Sequence, residues 1–90
     1  MLYMTIATWK TDKRDAIIKR LLEKGRMRPK GQKVIGEWNA CGGGRMFSVT
    51  EGVDDASMMQ VVLAWSDLME FEIIPIMDSQ ALEKILKPKR

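Results

Sequence analysis

The chain contains no histidine and only one cysteine, Cys41. Without histidine it lacks the commonest metal ligand and the commonest general base at neutral pH. A lone thiol with no histidine beside it makes neither a zinc site nor an internal disulfide, and histidine-bound haem is excluded. No metal and no cofactor are therefore expected. Long apolar runs are missing as well. The stretch Met58 to Trp65 is broken by Gln60 and falls far short of the roughly 20 residues that cross a bilayer. The amino end has no basic segment followed by an apolar stretch and a small-residue cleavage site, so a cytoplasmic location without membrane contact is expected. A large excess of charge is also lacking, the net value being +3. Much of it sits in "GRMRPKGQK" (Arg26, Arg28, Lys30, Lys33) and in the terminal "KPKR". Both read as solvated segments, with an anion or nucleic-acid contact as the competing reading.

What is present suits one small globular domain over residues 1–90, with a polar tail at 87–90: 46% of residues are hydrophobic and 30% charged. "LYMTIATW" (Leu2 to Trp9) alternates as a strand does. Thr11 is placed to cap a helix whose apolar stripe is Ile17, Ile18, Leu21 and Leu22, and Gly25 ends it. "KVIGEWNA" and "RMFSVTE" read as two strands joined through "CGGG". A phosphate-cradling glycine loop leads into a helix, whereas these glycines lead into a strand, so they mark a hairpin turn. Asp54 or Asp55 starts a second helix through Trp65. "MEFEIIPIM" is a fourth strand, and its Pro75 points to an edge position or to the strand's end. Asp78 or Ser79 caps a last helix carrying Leu82, Ile85 and Leu86. The order β-α-β-β-α-β-α predicts an α+β, ferredoxin-like domain with a four-stranded antiparallel sheet and helices on one face.

Simple alternation divides that sheet. Leu2, Met4, Ile6, Val34, Trp38, Phe47, Val49, Phe71 and Ile73 are expected beneath the helices. Tyr3, Thr5, Ala7, Trp9, Ile35, Glu37, Met46, Ser48, Glu72, Ile74 and Ile76 are expected on the open side. Several of the second set are large and apolar, which predicts a homodimer, sheet against sheet, forming an α/β barrel. Any pocket inside it would be lined by Tyr3, Trp9, Glu37, Ser48 and Glu72.

The segments "EKGRMRPKG", "VIGEW", "RMFSVTE" and above all "WSDLMEFEIIPIMDSQA" resemble the bacterial and archaeal family called domain of unknown function 3303. The resemblance runs from Met1 to about Leu82. Its most specific part is Trp65, Asp67, Leu68, Glu70, Phe71, Glu72 and Pro75. It implies a fold similar to dimeric α/β barrels and transfers no catalytic residue. The glycine hairpin with Cys41 departs from the family pattern.

For chemistry, carboxylates come first. Glu37 or Glu72 in an apolar barrel would either gain a raised pKa and act as a proton acceptor, or form a salt bridge across the dimer seam with Arg45 or a basic residue of the 26–33 loop. Cys41 reads as a small residue near a turn. An RNA-recognition domain shares this topology but needs stacked aromatics on its central strand; "RMFSVTEG" offers only Phe47, so no nucleic-acid partner is expected. Three functions remain. The first is binding of a small, mostly apolar ligand. The second is cofactor-free, monooxygenase- or isomerase-like catalysis by a barrel carboxylate. The third is a structural or interaction role with a filled barrel.

Overall fold

A computed structural model describes residues 2–52 and 54–87. The chain forms β1 (Leu2–Thr8), α1 (Arg14–Lys24), β2 (Lys33–Asn39), β3 (Arg45–Glu51), α2 (Asp55–Trp65), β4 (Glu70–Ile76) and α3 (Ser79–Leu86). The strands lie in the order β2-β3-β1-β4, each neighbouring pair antiparallel. That is the ferredoxin-like arrangement, with β4 at an edge where Pro75 needs no ladder partner.

Local signals place most boundaries. Asp54 caps α2 by accepting from the Ser57 amide at 2.9 Å, and Asp78 caps α3 through Ala81 at 2.8 Å. Gly25 ends α1 at a φ of 69°, its amide bonded to the Leu21 carbonyl. Thr11 does not cap α1. It opens a single 3-10 turn, Thr11–Lys13, and the α-helix begins only at Arg14. The connection from β2 to β3 is a turn, with Gly43 and Gly44 at φ of 81° and 78°.

The two sheet faces differ from simple alternation. Register places Tyr3, Thr5 and Ala7 in line with Thr50, Ser48 and Met46 on one side and with Pro75, Ile73 and Phe71 on the other. In β1, Tyr3, Thr5 and Ala7 are the buried residues, so this is the helix-covered face. Leu2, Met4, Ile6, Phe47 and Val49 therefore face the open side, opposite to expectation, while Glu72, Ile74 and Ile76 lie there as expected. In β2 the register jumps between Val34 and Gly36, leaving Ile35 as a bulge. An extra residue reverses the alternation beyond it. Val34 and Glu37 thus share the covered face, and Trp38 passes to the open one, its ring lying over Gly36 where a Cβ would collide with it.

The packed core is small: Ala7, Trp65, Met58, Tyr3 and Ile17 are its buried apolar members. The apolar stripe of α3 (Leu82, Ile85, Leu86) stays exposed.

Candidate functional site

The helices roof a floor of short side chains. Thr5 from β1 and Ser48 and Thr50 from β3 are buried hydroxyls on the covered face. Ile17 and Leu21 of α1, and Met58, Val62 and Trp65 of α2, reach down from above. Long residues over short ones leave a cavity of about 100 Å³, completed by Phe71 and Ile73 of β4.

One end of this cavity is charged. Glu37, only 15% exposed at its side chain, takes a guanidinium on each carboxylate oxygen: Arg26 Nη2 at 2.8 Å from Oε1 and Arg28 Nη2 at 2.5 Å from Oε2. Both arginines come from the loop after α1, where Met27 between them holds a φ of 55°. A non-glycine residue there is strained and persists only when its surroundings fix it. The loop is also pinned from within, since the buried Trp65 indole donates to the Arg26 carbonyl at 3.3 Å. Two cations on one anion leave this mouth with a net positive charge. Deeper in, Thr50 Oγ1 is buried with no hydrogen-bond partner among the described residues. Gln32, also on the lining, meets Met58 only through a 3.7 Å contact to sulfur.

Of the five residues expected to line a pocket, the structure brings Glu37 and Ser48 together, in register with each other and beneath the helices. Glu37 finds its cations within its own chain, in the 26–33 loop, where a seam between two copies was expected to supply them. Tyr3 is on the covered face but belongs to a neighbouring groove with Asp55, Met59 and Pro75. Its hydroxyl donates to Asp55 Oδ1 at 2.8 Å, and that bond, with burial and the charges of Asp55 and Asp54, raises its pKa. Trp9 stands beyond the end of β1, its amide bonded to the Gly44 carbonyl at 3.1 Å. Glu72 is exposed on the open face, opposite Ile6. Neither it nor Arg45 forms an ion pair within the described residues of the subunit. Cys41 is exposed in the hairpin turn.

Sequence reasoning missed Thr5 and Thr50 as lining groups and the arginine clamp as part of a site. The signal was available in the pairing of Arg26-x-Arg28 with a lone strand glutamate, and in hydroxyl residues at period two in β3. Chemically the arrangement sets charge-assisted donors beside apolar walls and offers no free carboxylate. Both oxygens of its single carboxylate are already engaged, and no cluster of three potential metal ligands occurs among the described residues. No described helix is long and apolar enough to cross a membrane.

No curated protein matches the chain. Among solved structures, protein Atu4242 from Agrobacterium tumefaciens is similar at 12% identity and a TM-score of 0.49, covering 88% of this chain and 96% of its own. A candidate antibiotic biosynthesis monooxygenase from Deinococcus radiodurans is similar at 8% identity, again with a TM-score of 0.49, covering 88% and 95%. The family model for Domain of unknown function (DUF3303) matches residues 1–90, and the chain belongs to that family.

Proposed function

We propose that this chain is a small-molecule-binding subunit whose ligand sits in the cavity between helices and sheet. The observation that carries the proposal is the cavity's composition. Apolar walls surround a few convergent polar groups, the pattern that fixes a ligand's orientation while burying its body. Binding is favoured over catalysis because the one carboxylate at the cavity is clamped by two arginines, while Glu72 lies on the opposite face. The test is a titration of ¹⁵N-labelled protein with benzyl alcohol. Saturable shifts at Thr5, Ser48, Thr50 and the Trp65 indole are expected; shifts confined to the open face, or none, would refute the site.

The working unit in this proposal is a homodimer through the open sheet face. Two rows of that face, Ile74–Met4–Val49 and Glu72–Ile6–Phe47–Trp38, follow from the strand register and are apolar except for Glu72 on the edge strand. Charges stand towards its ends: Glu70 and Arg45 flank Thr8, and Lys33 pairs with Glu51 at 3.6 Å. An apolar centre inside a polar rim is the anatomy of an interface, and a two-fold pairing of identical faces is its commonest form.

A further inference from the structure

We infer that the cavity takes a small monoanion, its carboxylate seated on Arg26 and Arg28 and an oxygen at its other end paired with Thr50. The inference rests on the cavity being a ligand site, as proposed above, and adds the ligand's chemical class.

Three observations converge on it. The first is the unused donor capacity of the clamp. A guanidinium has five N–H donors in a planar fork, and each arginine gives Glu37 a single Nη2 contact. Side-chain exposures of 46% for Arg26 and 36% for Arg28 leave both able to meet a second acceptor. Glu37 thus fixes the two forks, and Met27 between them carries the left-handed backbone of that loop. Pre-set forks of this kind match a carboxylate.

Charge decides between anions. Two arginines less Glu37 leave one positive charge, which a monoanion neutralises. A phosphate monoester carries about −1.5 to −2 near neutral pH and would meet Glu37 with an uncompensated charge.

The second observation is size. A cavity of about 100 Å³ is somewhat smaller than the roughly 150 Å³ apolar cavity that holds benzene. With the carboxylate at the mouth, the body is at most one ring or a short branched chain, packed against Met58, Trp65 and Phe71.

The third is Thr50. Its Oγ1 is buried and unpartnered, a state native proteins rarely leave without a reason. Thr50 stands two residues along β3 from Ser48, the register partner of Glu37, which is roughly 7 Å of strand. Thr50 thus lies along the cavity floor from the clamped end, where an oxygen on the ligand body away from its carboxylate can meet it.

Three probes test this by NMR titration: benzyl alcohol, benzoate and 4-hydroxybenzoate. Benzoate is expected to bind about tenfold or more tightly than benzyl alcohol, as a charge-assisted hydrogen bond allows, and Arg28→Gln to bring it down to the alcohol's level. 4-Hydroxybenzoate is expected to bind more tightly than benzoate, and Thr50→Val to remove that difference. The same near-isosteric variant should raise the melting temperature of the free protein, because it deletes an unpaired buried hydroxyl. Equal affinity for benzoate and benzyl alcohol overturns the carboxylate assignment and leaves cavity binding standing. A Thr50→Val protein that still prefers 4-hydroxybenzoate overturns the role of Thr50. Absence of binding by all three overturns the inference together with the site beneath it.

Discussion

Replacing Ile74 with aspartate tests the open face directly. Ile74 lies in the row Ile74–Met4–Val49, on the side of the sheet away from the cavity. In the isolated subunit it is only half-buried, so an aspartate there remains hydrated and the domain should fold. In a face-to-face dimer the same position is covered. Losing the burial of an isoleucine side chain costs about 1.5–3 kcal/mol, and an unpaired carboxylate in its place costs several more unless water reaches it. Taking about 3 kcal/mol per site, and counting twice for two-fold symmetry, the dimer weakens by about 6 kcal/mol, or roughly 10⁴-fold in Kd. Sedimentation equilibrium of wild type and I74D, with circular dichroism to confirm folding, measures this. The expected result is a wild-type dimer at micromolar concentration and a folded I74D monomer. A wild-type monomer of 10.3 kDa at tens of micromolar, or an I74D dimer within tenfold of wild type, would refute the reasoning.

Gly43→Val is expected to destabilise by about 1–3 kcal/mol, since φ there is 81° and a β-branched residue is strained in that region. No atom lies within 4 Å of the added Cβ, so the cost is in the backbone; urea unfolding reads it, and benzyl alcohol affinity should be unchanged in the folded variant. Asp67→Asn addresses acid stability. Arg20 donates to both Asp67 oxygens at 2.7 Å and holds this carboxyl below its ordinary value of 3.8. A depressed carboxyl gives stability that is present above the unfolded pKa and lost as pH falls through the folded one. Asp67→Asn should therefore lower the melting temperature at pH 7 and flatten its decline below about pH 4. Some slope should persist from Asp54, whose pKa is lowered by the Ser57 amide; an unchanged pH profile would count against the pair.

The topology was legible because each element carries its own signal. Period-two alternation, aspartate caps at 54 and 78, Gly25 and the glycine hairpin are local features that tertiary contacts did not override. The site was less legible because it depends on which face each strand presents. Alternation sorts residues into two sets within one strand but does not relate the sets of different strands. Grouping Thr5 with Glu72 needed a register in which they share a face, whereas Ile6 is the partner of Glu72. In β2, one bulged residue at Ile35 was enough to set Val34 on the face of Glu37 rather than that of Trp38, and nothing in "KVIGEW" announces it. Glu37 and Ser48 stayed together because they lie on one side of that bulge.

The covered face turned out to hold the hydroxyls, and the open face the large apolar residues. This inversion has an energetic reading. An isolated globular chain of 10.3 kDa is expected to expose about 5,400 Å², whereas this subunit exposes 6889 Å². The excess of roughly 1,500 Å² exceeds the ~800 Å² that each partner buries in a standard interface. Part of it belongs to α3, whose Leu82, Ile85 and Leu86 have no cover, and part to the open sheet with Trp38. A core with five buried apolar residues among those described does little to offset that exposure, so the proposed second copy is expected to supply stability as well as assembly. The same account explains why Thr5, Ser48 and Thr50 can lie beneath the helices. In the proposed dimer apolar burial moves to the interface, and the covered face is free to keep hydroxyls around a cavity. Melting temperature should accordingly rise with protein concentration, as it does when folding and association are linked. A concentration-independent value, from a chain that is monomeric throughout, would separate the cavity from the dimer and leave the open face without its proposed role.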